Sequence, residues 1–144
     1  MFTREERNVF GDEAEDFAFN NLDRQGIKVL KTKEIDKWSP QLVWSPKLDQ
    51  KIGDLIIVLF SGYIFVDIKR SSISKLSLRG FKGNYYFVYN VNLTELFIFK
   101  PEDIKNCREI SYEKLGSGDE GLKLAQLKNY VSYMSLNEFI LKLR

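Results

Sequence analysis

The sequence predicts an α/β fold, a central β-sheet flanked by helices, in one domain spanning residues 1–144. Three observations predict it. An amphipathic helical pattern runs over residues 3–25. A continuous apolar run, Leu55 to Phe60, doubles back through Ser61-Gly62 into a second strand, Tyr63 to Lys69. A capped helical pattern, Ser135 to Leu143, closes the sequence.

The first helix rests on Phe10, Ala14, Phe17, Ala18 and Leu22, which recur at helical spacing between acids and bases, with Gly26 placed to cap its end. Ile27 to Lys31 alternates as a half-buried strand does. Residues 33–51 read as a long connection with an internal echo, Trp38-Ser39-Pro40 and Trp44-Ser45-Pro46. Its tryptophans either pin the loop to the surface or form a lid that touches substrate. Leu55 to Phe60 reads as a central strand buried on both faces. Two more strands are expected at Tyr85 to Tyr89 and Glu95 to Phe99, joined by a polar turn. Tyr85, Tyr86, Phe87 and Tyr89 read as sheet core in preference to a base-stacking platform. Pro101 to Ile104 opens a short helix or turn. Ile110 to Tyr112 reads as a short strand, 116–119 as a flexible loop and Leu122 to Tyr130 as partly helical. Ser135 with Glu138 makes a capping box for the last helix.

Composition narrows the chemistry. The formal charge of +2 is weakly basic and neither demands nor excludes nucleic acid. A single cysteine, Cys107, excludes an internal disulfide and fits a reducing compartment. The N-terminus is polar and acidic, unlike a signal peptide, and the longest apolar run is too short to span a bilayer. A cytoplasmic location is expected, and a phage or viral origin is compatible with it. The sequence contains no histidine, which removes imidazole bases, His-Cys zinc sites and Ser-His-Asp hydrolysis. Catalysis must run on carboxylates, lysine, tyrosine or hydroxyls. Any metal is expected to be a hard cation held by oxygen, Mg2+ or Mn2+.

The returning strand buries apolar side chains yet contains Asp67 and Lys69. Residues two apart on a strand share a face, so these two are neighbours, with Ile64, Val66 and Ile68 opposite. Gly53-Asp54 enters the preceding strand, and the hairpin brings Asp54 toward Asp67. Two carboxylates and a lysine thus converge at one end of a sheet. Paired carboxylates repel and are tolerated when a divalent cation lies between them. Such a cation polarises a phosphate oxygen and acidifies bound water, while lysine orients that water or offsets developing charge. The plainer alternative is a strand-end salt bridge between Asp67 and Lys69, with Asp54 a turn residue.

Ile52-Gly53-Asp54-Leu55-Ile56-Ile57 followed by Phe65-Val66-Asp67-Ile68-Lys69-Arg70 resembles the signature of the PD-(D/E)XK nuclease superfamily. Gly11, Glu15, Ala18, Leu22 and Gly26 resemble the helix and turn that precede this motif in Holliday-junction resolvases and related small nucleases. The resemblance covers roughly residues 10 to 100. It implies a restriction-endonuclease-like core with a central mixed sheet, and a helical glutamate, Glu15, that completes the metal site beside Asp54 and Asp67. Glu15 lies in line with Ala18 and Leu22 along the helix; Glu13 is the alternative. Glycine stands where the signature has proline, aspartate where glutamate is commoner, and serine-rich 71–83 where a helix is expected.

A run of bases follows the motif: Arg70, Lys75, Arg79 and Lys82, with no acid between residues 68 and 94. A positive stretch there suits a DNA backbone, without encoding sequence preference. The expected function is metal-dependent hydrolysis of DNA phosphodiester bonds. The endonuclease is either structure-specific, as a resolvase is, or site-specific, and it works as a homodimer or higher homo-oligomer. The alternative is an inactive nuclease-fold module that binds nucleic acid or a protein.

Overall fold

The computed structural model describes residues 3–38, 53–70, 83–103 and 132–143. Its elements are α1 (Arg4–Arg24), β1 (Val29–Lys31), α2 (Thr32–Trp38), β2 (Leu55–Leu59), β3 (Gly62–Arg70), β4 (Tyr85–Tyr89), β5 (Leu96–Phe99) and α3 (Leu136–Leu143). The fold is α/β: a mixed five-stranded sheet in the order β1-β2-β3-β4-β5, with helices flanking it. The pairs β1–β2, β2–β3 and β4–β5 are antiparallel. The chain divides into two compact units, Met1–Ile68 with Lys82–Tyr85, and Lys69–Phe81 with Tyr86–Arg144.

In the first unit, the Thr3 hydroxyl caps α1 by accepting from the Glu6 N–H at 3.1 Å. The far end closes in a Schellman motif, where Gly26 N–H donates to the Asp23 carbonyl and Ile27 N–H to that of Leu22. Gly26 supplies the left-handed φ of +76° that this turn requires. Ala14, Ala18 and Leu22, four residues apart, form the buried line of α1, which packs against β1. Phe17 was expected on this face but is 38 % exposed. Being adjacent to Ala18, it points about 100° away from that line.

The expected loop over 33–51 begins instead as a helix, α2. No glycine or proline interrupts Thr32 to Trp38, and Ser39-Pro40 is the first barrier to helix. Trp44 lies outside the described residues. So do the elements expected at 110–112, 116–119 and 122–130, and the basic residues Lys75, Arg79 and Lys82. Residues 101–103 open a helical turn, as expected.

The β2–β3 hairpin turns on Phe60 and Ser61, one residue earlier than the sequence suggests, because Leu59 already pairs with Gly62. Leu55 and Ile57 are fully buried, as a central strand requires.

In the second unit, Tyr86, Phe87 and Tyr89 are core residues. The Asn90 side chain closes the β4–β5 turn by accepting from the N–H groups of Thr94 and Glu95. α3 carries its capping box, with the Ser135 hydroxyl accepting from Glu138 N–H at 3.2 Å. Phe139 of α3 meets Phe87 edge-on, ring centres 5.2 Å apart. No helix among the described residues is long and apolar enough to cross a membrane.

Leu22 is fully buried near the C-terminal end of α1. Leu22→Ala is expected to destabilise the protein by about 2–5 kcal/mol, measured by chemical denaturation.

Candidate active site

The register of the hairpin sets the position of Asp54. Leu55 pairs with Val66, so Asp54 stands opposite Asp67. Asp54 N–H donates to the Val66 carbonyl at 2.8 Å, and Ile68 N–H donates to Asp54 Oδ2 at 2.8 Å. The acid is therefore held by β3 through both its backbone and its side chain. Gly53 allows this approach. Its φ is +104°, and a Cβ there would lie 2.8 Å from the Val66 carbonyl oxygen. Proline, locked near φ −65°, cannot occupy this position, which explains the glycine at the head of the motif.

Thr32, at the junction of β1 and α2, holds the same dipeptide from the other side. It is fully buried. Its hydroxyl lies 2.9 Å from the Gly53 carbonyl oxygen and 3.1 Å from that of Asp54, and its N–H donates to the Asp54 carbonyl at 3.0 Å.

Asp67 is only 5 % exposed, with Val66 and Ile68 buried beside it. The strand is thus covered on both faces at this point, where strict alternation suggested one apolar and one polar face. Burial pushes the Asp54 carboxyl up to about 9; its hydrogen bond with Asp67 and the charges of Asp67 and Glu15 add to the rise, against the Ile68 N–H. Glu15 projects from α1 with its side chain 19 % exposed. Of the two helical acids, it is Glu15 whose charge reaches Asp54, whereas Glu13 is exposed.

Glu15 is in turn paired. Lys33 Nζ lies 3.3 Å from Glu15 Oε2 and 3.4 Å from Asp12 Oδ1. Burial pulls the Lys33 ammonium down, but the two carboxylates outweigh it and hold its pKa above the usual value. Lys31 pairs with Asp16 and lies 5.1 Å from the centre of the Phe19 ring. Asp12, Glu15 and Asp16 share one face of α1, so two lysines from the β1–α2 junction tie that face down.

Lys69 follows Asp67 by two positions on β3 and is counted with the second unit. The Arg70 guanidinium donates to the Val91 carbonyl at 2.9 and 2.6 Å. The sequence reading passed over Thr32 and Lys33. A usable signal was present: bases at 31 and 33 beside an acidic helical stripe at 12, 15 and 16.

The donors fit a hard divalent cation in kind. Asp54 and Asp67 offer carboxylate oxygens from facing positions of the β2–β3 ladder. Among the described residues, no group of three or more histidines, cysteines or acids could hold a metal ion. Magnesium commonly takes one or two carboxylates and fills its other positions with water and phosphate.

No protein-family model matches the sequence, and no curated protein matches it significantly. Among solved structures, the bacterial homing endonuclease I-Ssp6803I is similar at 18 % identity and a TM-score of 0.46, covering 65 % of this chain and 68 % of its own. A likeness this distant assigns no residue a role.

A raised folded-state pKa means that Asp54 stabilises the metal-free protein at low pH and loses that contribution as pH rises. The window runs from its unfolded value, near 4, to about 9. In chelator, the melting temperature is expected to fall between pH 5 and 9. Asp54→Asn is expected to flatten that slope, as measured by thermal unfolding at a series of pH values.

Proposed function

We propose that this chain is a metal-dependent DNA endonuclease of the PD-(D/E)XK type. The observation that carries the reading is the facing pair Asp54 and Asp67, opposite each other in the β2–β3 register, with Asp67 5 % exposed and Asp54 Oδ2 fixed by the Ile68 N–H. Such a pair is costly without a compensating cation and is suited to one.

In this reading Asp54 and Asp67 hold Mg2+ or Mn2+, and Glu15 completes the set. When bound, the ion polarises the scissile phosphate and acidifies a water. Ile68 N–H and Thr32 keep Asp54 at its station, and Asp67 is fixed by the strand on which it lies. Lys69, on the face of β3 that strand alternation gives to Asp67, orients the attacking water or offsets charge as the phosphate is attacked. Lys75, Arg79 and Lys82 grip the DNA backbone, with Arg70 at the head of that run. A small domain cuts two strands most simply as a symmetric homodimer or higher homo-oligomer.

The test is incubation with junction, flap, single-stranded and duplex DNA, with Mg2+ and with chelator. Metal-dependent cleavage is expected, and the preferred substrate separates structure-specific from site-specific action. Asp54→Asn and Lys69→Ala are each expected to lower the rate by at least about 100-fold, the scale of a lost general acid–base group, with the melting curve still cooperative. Cleavage that survives both substitutions rejects the assignment. One observation favours a second reading, a binding module: no three-acid cluster stands preformed among the described residues. Tight DNA binding without cleavage, in either metal, supports that module.

A further inference from the structure

We propose that the sheet face carrying Asp54 and Asp67 is also a stacking platform, on which Tyr63 takes an unpaired base of a nucleic-acid strand and Lys28 a neighbouring phosphate. This rests on the nucleic-acid part of the reading above and needs no metal ion.

Two ladders place the residues, all within the first unit. Thr32, Asp54 and Asp67 form one row across the three strands, since Thr32 N–H donates to the Asp54 carbonyl and Leu55 pairs with Val66. Two positions along, Leu30 pairs with Ile56, and Ile56 with Phe65. Two positions further, Val58 N–H donates to the Lys28 carbonyl at 2.9 Å, and Val58 pairs with Tyr63. Residues two apart on a strand share a face, so the three rows lie on one face. The opposite face is the core side, with Val29, Leu55, Ile57 and Val66 buried. Exposure rises along the first face, from 5 % at Asp67 through 39 % at Leu30 to 66 % at Tyr63. Lys28 is exposed as well, and Phe60 in the turn is fully so. The candidate site thus opens onto an apolar and aromatic surface at the end of the hairpin. Apolar side chains gathered in water in this way mark a surface that binds something.

Charge and position select a nucleic-acid strand as the occupant. Lys28 brings a cation to the row of Tyr63, about 10 Å away across the sheet at ordinary strand spacing. An aromatic ring for the base and a cation for the backbone are the two parts that hold single strands. Tyr63 also stands four residues from Asp67 on the same strand, about 13 Å along it. A strand seated on Tyr63 therefore reaches the aspartates within a few nucleotides. Bases inside a duplex are stacked on one another and offer no free face. The platform accordingly favours unpaired segments, such as a flap, an open junction or a single strand.

The test is fluorescence anisotropy of the full chain with a labelled thymidine single strand and with a blunt duplex, both in chelator, with melting curves as the check on folding. The parent is expected to prefer the single strand. Tyr63→Leu keeps an apolar side chain and loses the ring; it is expected to weaken single-strand binding about five- to tenfold, the lower end for one stacked base, and to leave duplex binding as it was. Tyr63→Trp is expected to hold or tighten it. Lys28→Gln is expected to reduce the slope of log affinity against log salt by about 0.7, the value for one phosphate of a single strand. Val9→Ala, at an exposed side chain of α1, is expected to change neither affinity. Unchanged single-strand affinity in Tyr63→Leu overturns the inference, as does an equal loss on the duplex. A parent dimer that dissociates in Tyr63→Leu, with single-strand binding kept, gives the face to a second copy and overturns it too. A parent that binds no nucleic acid overturns this inference and the nuclease reading together. Binding that depends on Tyr63, without cleavage in Mg2+ or Mn2+, upholds the inference and rejects the nuclease.

Discussion

Asp54 and Asp67 face each other across the β2–β3 ladder, whose register pairs Leu55 with Val66. This end of the ladder is held by Asp54 N–H donating to the Val66 carbonyl and by Ile68 N–H donating to Asp54 Oδ2, with Leu55 and Val66 fully buried beside them. The fold therefore sets two carboxylates opposite each other, an electrostatically unfavourable contact. Two like charges in a poorly hydrated position are relieved by a shared proton or by a cation. Burial is the largest cause of the raised Asp54 pKa and favours its protonated form.

Around that contact, the backbone is arranged to receive the acid before it is charged. Gly53 takes a left-handed conformation so that β3 can approach, Ile68 N–H is aimed at a carboxylate oxygen, and Thr32 binds the two carbonyls at the entry to β2. Preorganisation of this kind reduces the ordering cost that a site otherwise meets at the moment of binding.

Much of this was legible in the sequence. The α/β class followed from periodicity, and the hairpin followed from Leu55 to Phe60, the Ser61-Gly62 turn signal and Tyr63 to Lys69. Strand pairing then brought Asp54 to Asp67 without any knowledge of side-chain positions. What was not legible depends on contacts between elements far apart in sequence. The helix at Thr32–Trp38 has a sequence that permits helix without demanding it, and its first residue is held by bonds to Gly53 and Asp54, more than 20 residues on. Phe17 was misplaced because the buried face of α1 is a single line, Ala14, Ala18 and Leu22, whose two alanines let the helix lie close to β1. The glycine before Asp54 read as a mere departure from a motif until the Val66 carbonyl showed what it makes room for.

In the proposed reading, a divalent cation takes the place of the proton on the Asp54 carboxyl. Calorimetric titration with Mn2+ at pH 7, repeated in two buffers of different ionisation enthalpy, counts the protons released on binding. About one proton per bound ion is predicted, because a carboxyl with a pKa near 9 must ionise to become a ligand. Binding with no proton released, or no binding at all, would contradict the account.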